Sequence, residues 1–212
     1  MISASTDARL CLTEICRRKL LVFGAASVAA CLSGCTHGLV AKEVPPSDQA
    51  AQAQAVQAFY SQVVKLQIFG VPTEEQLRAL TPVISEKLAM LLRQARAAEH
   101  HLFARHGGAE PPLMQGALLV SLFEGANRFD SATPTAEANV WQATLAYGQG
   151  VDTVQWVDRV WLVRAQPQQH RSEAHRMSWV VDDIQFSGQW DFARQGRLSE
   201  ALQAIIEQAY DQ

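Results

Sequence analysis

The sequence predicts an α+β domain in which N-terminal helices pack on a curved antiparallel sheet of about four strands, with a C-terminal helix. Three observations predict it. Apolar residues recur at helical spacing in three segments before position 106. Runs rich in Val, Trp, Thr and Tyr then follow one another between positions 128 and 186. Helical spacing returns only at Leu202, Ile205, Ile206 and Ala209. Helices followed by strands give segregated layers, whereas alternating βαβ units would give a parallel sheet.

The elements are preceded by a segment that reads as an address. Of the 212 residues, 48% are hydrophobic and 18% charged, enough apolar surface for a packed core and too much for wholesale disorder. The formal charge of −3 argues against a nucleic-acid backbone as the partner. The cysteines are Cys11, Cys16, Cys31 and Cys35, with none beyond. A disulfide framework, a cysteine metal site and a thiol nucleophile are thereby excluded from the rest of the chain. Arg17-Arg18-Lys19 forms a basic n-region, and residues 20–32 form an apolar stretch. As a helix those 13 residues reach roughly 20 Å, short of a bilayer core of about 30 Å, so they suit a cleavable h-region. Leu32-Ser33-Gly34-Cys35 follows and resembles a bacterial lipobox, in which small residues admit the peptidase and the thiol accepts diacylglycerol. Arg17-Arg18 with Lys19-Leu20-Leu21 also resembles a weak twin-arginine export signal, with Cys16 where Ser or Thr is usual. Either route leads to the envelope.

These features divide the chain into a signal peptide (1–34), a lipidated Cys35 with its tether (35–47) and a domain (48–212). Loss of the leader changes the formal charge from −3 to −5. Fatty acylation at Cys35 supplies membrane lipid as a partner, because two or more acyl chains hold a protein durably. Thr36 is not the aspartate that commonly retains lipoproteins in the inner membrane. The outer membrane, facing the periplasm, is therefore the expected location. Gly38, Pro45 and Pro46 mark residues 36–47 as a tether that reaches at most about 40 Å.

Ser47 or Asp48 can cap the first helix, which runs to about Gln67 with Val56, Phe59, Tyr60 and Val63 on one face. Gly70 and Pro72 end it. Thr73-Glu74-Glu75-Gln76 matches a capping box and opens a short helix that stops near Thr81-Pro82. Ser85 can cap a third helix with Leu88, Leu91, Leu92 and Ala95 on one face, running to about His106 before Gly107-Gly108. Residues 118–123 form a continuous apolar run, expected to close the mouth of the fold or to serve as an exposed contact surface. Strands are expected over about 128–133, 139–147, 153–164 and 175–186, with Gly148-Gln149-Gly150 as a hairpin turn. In the last strand, Trp179, Val181 and Asp183 alternate with Val180, Asp182, Ile184 and Phe186, so both faces are covered at mid-strand. Ser199 can cap the final helix.

This order resembles the nuclear-transport-factor-two-like fold, a cystatin-like α+β cone, and more narrowly bacterial envelope lipoproteins carrying an uncharacterised domain of that class. Carrying the resemblance are Ala58-Phe59-Tyr60, Gly70-Val71-Pro72-Thr73, Ser121-Leu122-Phe123-Glu124-Gly125 and Trp179-Val180-Val181-Asp182-Asp183-Ile184. It spans about 48–212 and rests on order and spacing. What it implies is an envelope protein with a cone-like domain, on a scaffold that hosts enzymes, binders and assembly modules alike. Catalytic members of the wider superfamily use an acid in the cone as general base and a tyrosine or protonated acid as donor.

On that implication the catalytic candidates are Asp182, Asp130 and Tyr60, with Tyr147 as a further hydroxyl. Against them stands the ordinary expectation that Asp182 or Asp183 pairs with Arg159 or Arg164 of the adjacent strand. His100, His101 and His106 lack the i,i+4 spacing of a helical metal site. Trp141, Trp156, Trp161, Trp179 and Trp190 suit core packing better than an aromatic-lined cavity for an apolar ligand or glycan. No phosphate loop, serine elbow or basic aromatic patch occurs, and no cofactor or metal is expected. The sequence thus reads as a lipid-anchored periplasmic binding or assembly module without turnover, partnered by an envelope protein. Two alternatives stand beside it. One is an isomerase- or dehydratase-like enzyme acting on a small apolar substrate, and the other is a toxin-immunity protein.

Overall fold

The computed structural model of the chain describes residues 46–105, 114–166, 177–191 and 193–211. Helix α1 spans Pro46–Leu66 and buries Val56, Phe59, Tyr60 and Val63, the face its spacing predicts. It ends on Gln67, whose φ of +46° turns the backbone left-handed. The Gln67 amide closes the last turn on the Val63 carbonyl at 3.1 Å, and its side chain donates to the Ala126 carbonyl at 3.1 Å. Helix α2 (Glu74–Leu80) opens with the expected capping box: Gln76 N donates to Thr73 Oγ1, and Thr73 N donates to Gln76 Oε1. A 3-10 turn, Thr81–Val83, leads to Ser85, whose hydroxyl oxygen accepts from Leu88 N at 3.0 Å and caps α3 (Glu86–Arg105). The stop expected at His106 and Gly107-Gly108 lies outside the described residues.

The apolar run 118–123 adopts neither helix nor strand, and Leu118, Leu119, Val120, Ser121 and Leu122 are buried. Four strands follow: β1 (Arg128–Pro134), β2 (Val140–Tyr147), β3 (Val154–Arg164) and β4 (Trp179–Gln185). Each pairs antiparallel with its neighbour in the order β1-β2-β3-β4, and helix α4 (Leu198–Asp211) completes the fold. The fold is therefore α+β, as the sequence predicts. The turn between β2 and β3 keeps Gly148 at φ +102°, where an added Cβ would meet the Asp152 carbonyl oxygen at 2.5 Å. Only glycine fits there.

Register divides the sheet into two faces. Phe129, Leu145 and Trp156 form one cross-strand row, and Ala132, Ala143 and Asp158 form the next. This face meets α1: the Tyr60 ring stacks on Phe129 at 5.7 Å, and Trp141 Nε1 donates to Gln52 Oε1 at 3.0 Å. The opposite face carries the row Gln142, Arg159 and Gln185, then Trp161 opposite Asp183. The start of α4 lies against Asp183, and its far end packs Ala209 and Ile206 on Ala98 and Leu102 of α3.

Two expectations are corrected here. Strict alternation along the last strand fails, because Trp161 pairs with Asp183 while Leu162 pairs with Val181. Asp182 is the extra residue of a bulge, so Val181 and Ile184 come to share a face. Nor does Ser199 cap α4. The helix starts one residue earlier, at Leu198, and Asp183 reaches across from β4 to act in its place. Its carboxylate accepts from Ser199 N at 3.0 Å, Ser199 Oγ at 2.7 Å and its neighbour Ile184 N at 2.9 Å, with Arg197 at 3.6 Å. An acceptor from another element does what a local side chain normally does at a helix start. Asp183→Ala strips these donors together, and the expected outcome is a loss of about 1–3 kcal/mol in urea unfolding. An unchanged midpoint would show that α4 docks without it.

Candidate functional site

The three residues proposed as a catalytic set do not converge. Asp182 accepts from Ser85 Oγ at 2.7 Å and pairs with Lys87 Nζ at 2.9 Å, fastening the bulge of β4 to the start of α3. Asp130 lies exposed on β1, held by Arg128 Nε and by Gln155 Nε2 at 2.8 Å. The hydrogen bond from Arg128, then that from Gln155, holds its carboxyl below the usual carboxylate range. Tyr60 is wholly buried against Phe59 and Phe129, and its hydroxyl has no hydrogen-bond partner among the described residues. Burial first, and the charge of Asp158 second, raise its pKa well above the ordinary 10. Tyr147 is partly exposed at the end of β2. The expected aspartate–arginine pairs across β3 and β4 are also replaced, since Arg159 pairs with Glu137 and Arg164 with Asp48, each at 2.7 Å.

Besides Asp183, the carboxylate that lies inside is Asp158, at the centre of β3 and fully buried. Trp156, Asp158, Val160 and Leu162 share the inward face of β3, so the strand's own period aims an acid at the core. That face had no solvent to offer it, and loops supply the partners instead. Ser121 donates to it through both its backbone N (3.0 Å) and its hydroxyl, Trp156 Nε1 donates at 3.1 Å, and Ser187 N donates at 3.2 Å. Ser121 Oγ in turn accepts from Ser187 N at 2.9 Å and Gly188 N at 3.2 Å. Arg194 ties the same loop from outside, through its backbone N to the Ser121 carbonyl (3.2 Å) and Nη2 to the Ala117 carbonyl (2.9 Å). Burial pushes the Asp158 carboxyl up, and the hydrogen bonds from Ser121, Ser187 and Trp156 draw it part of the way back.

The tryptophans serve packing for the most part. Trp141, Trp156 and Trp179 are buried, and Trp161 lies between the guanidinium groups of Arg159 and Arg197, at 5.1 and 4.1 Å. Trp190 differs. It stands edge-on to Trp156 at a centroid distance of 6.0 Å, half-buried, beside an open cleft of about 450 Å³. Gln142, Gln155, Val157 and Arg159 line that cleft from the sheet face turned away from α1, joined by Trp156. Ser187, Gln189 and Trp190 line it from the segment after β4. By contrast, the pocket between the end of α1 and the 117–126 loop holds about 10 Å³, room for one water at most.

Sequence reading missed Asp158, Ser121 and the cleft. For Asp158 the signal existed, because the period-two pattern around it places it with Trp156 and Val160. Ser121 and Ser187 carry no such pattern.

Fold and site together define an α+β module with a large apolar core against α1 and an open amphipathic cleft on the far side of its sheet. No protein-family model matches the chain, and no curated protein or solved structure does so either.

Two outcomes are expected of Asp158. Asp158→Ala leaves the buried N–H donors of Ser121 and Trp156 without their acceptor and should lower stability by about 2 kcal/mol or more in chemical unfolding. An acid whose pKa is higher folded than unfolded binds more protons when folded. Its contribution is therefore fully present below the ordinary 3.8 and is lost as pH rises through the raised value. Relative to Asp158→Asn, which does not titrate, the native protein should be most favoured at low pH, with the margin narrowing as pH rises through that window. Unfolding curves at a series of pH values measure this, and a margin that widens with pH would contradict it.

Proposed function

We propose that the chain is a lipid-anchored periplasmic module that binds or assembles with an envelope partner and carries out no turnover. The observation that carries this reading is the separation of the candidate catalytic groups. Each aspartate is held by a cation at the surface, and the tyrosine hydroxyl is enclosed in packed core. An isomerase- or dehydratase-like reaction needs an acid and a donor facing one substrate-sized space. Among the described residues an open cleft lies on the other side of the sheet, where amides and an aromatic ring line it. The helices-then-meander order supports, within this proposal, a likeness to the nuclear-transport-factor-two-like cones.

The address rests on the basic cluster, the short apolar run and Leu32-Ser33-Gly34-Cys35. Among the described residues no helix is long and apolar enough to cross a membrane, so acyl chains on Cys35 would supply the attachment in this scheme. With a short tether, the domain stays near the lipid surface and meets its partner at raised local concentration.

Mass spectrometry of native protein should find diacylglycerol on the Cys35 sulfur and residues 1–34 removed. Cys35→Ser should move the protein from the membrane fraction to the soluble one. Crosslinking in cells followed by capture should recover an envelope protein. An unmodified sulfur with the leader attached would overturn the address, and crosslinked cells that yield no envelope partner would overturn the role.

A further inference from the structure

We propose that the cleft beside Trp190 is a binding site for a neutral glycan chain, a ligand class that deepens the binding-module reading and rests on it. The cleft has the volume of an ordinary small-ligand site, about 450 Å³. Its floor is β3, where Gln155, Val157 and Arg159 project in one row, with Gln142 of β2 directly across from Arg159. Five residues of strand make that row roughly 13 Å long, so it suits an extended oligomer better than a single small molecule.

The chemistry of the lining selects among ligands. Gln142 and Gln189 are exposed, and neither side chain has a hydrogen-bond partner among the described residues. Each amide offers both a donor and an acceptor, which matches vicinal hydroxyls that also do both. An apolar ligand would leave those amides without partners as it excluded water from them. An anion would need free positive charge, but Arg159 is already paired with Glu137, and Arg128 with Asp130. β2 has strand neighbours on both sides, and β3 has them from Arg159 to Arg164, so strand addition by a peptide has only the short edge of Val154–Asp158 to use.

Trp190 supplies the apolar plane on which the C–H face of a sugar ring can lie. The ring is set in place before any ligand arrives. Trp156 abuts it edge-on, and Gly188 leaves the space it occupies, since a Cβ there would come within 2.7 Å of the Trp190 ring. Ser187 and Gly188 are themselves fixed through their backbone N–H groups to Ser121 and Asp158. A side chain so held loses little freedom on binding.

The test titrates the purified full chain with soluble tetrasaccharides of β-1,4-linked glucose, β-1,4-linked N-acetylglucosamine and α-1,4-linked glucose, read by tryptophan fluorescence and calorimetry. The expected result is saturable binding of at least one of them at millimolar concentration or tighter, weakened about tenfold by Trp190→Ala and severalfold by Gln142→Ala or Gln189→Ala. Gln142 and Gln189 have no side-chain hydrogen-bond partner among the described residues, so those variants keep the fold even where Trp190→Ala disturbs it. Absence of saturable binding to all three oligomers would overturn the proposal, as would binding that Gln142→Ala and Gln189→Ala leave unchanged. A protein crosslinked to this cleft in the absence of sugar binding would overturn the glycan assignment and leave the module reading standing. Sugar binding by a chain whose Cys35 proves unmodified would support the cleft and overturn only the address.

Discussion

One buried carboxylate, Asp158, organises the part of this protein that regular structure does not. It sits on the inward face of β3 with Trp156 and Val160, near enough to Tyr60 of α1 to act on it electrostatically, a place where an ionised group cannot remain without donors. Apart from Trp156 Nε1, the donors come from two loops, one preceding the sheet and one following it. Satisfying the charge therefore fixes the 117–126 loop and the 187–190 segment to the same point. Hydrophobic burial could hold Leu118, Leu119 and Val120 in many arrangements, because it has no direction. The hydrogen bonds at Asp158 and Ser121 choose one.

The two faces of the sheet consequently do different work. Toward α1, large side chains pack into the core, which includes the Tyr60–Phe129 stack and the Trp141–Gln52 hydrogen bond. On the other face α4 covers the β4 side and leaves the β2–β3 side to solvent. Arg197 and Trp161 form the boundary between the two regions. The wall of the cleft is the segment that Asp158 secures, so core and cleft meet through one residue.

Much of the fold was legible in the residues themselves. Apolar spacing in α1, the Thr73–Gln76 box, the Ser85 cap and the four strand runs each rest on interactions within a few residues, which a linear pattern records. What was not legible depends on register and on contacts distant along the chain. The bulge at Asp182 cannot be read from alternation, because the chain alternates either way and only the pairing with Leu162 and Trp161 reveals the extra residue. Ser199 looked like a cap because serine commonly is one, and the acceptor that replaces it comes from β4. The candidate site was legible least of all. Gln142 and Arg159 become neighbours through strand pairing, while Gln189 and Trp190 join them from an irregular segment.

The order of the strands carries a kinetic meaning of its own. Every pairing in the sheet joins sequence neighbours, so hairpins can form and zip together before any distant segment arrives. Helix α1, the first element among the described residues, contacts both β1 and β4 and so has its full binding surface only when the meander is complete. The first part of the domain to emerge is thus the last that can settle, and until it docks the apolar face of the sheet stands open to whatever else is near.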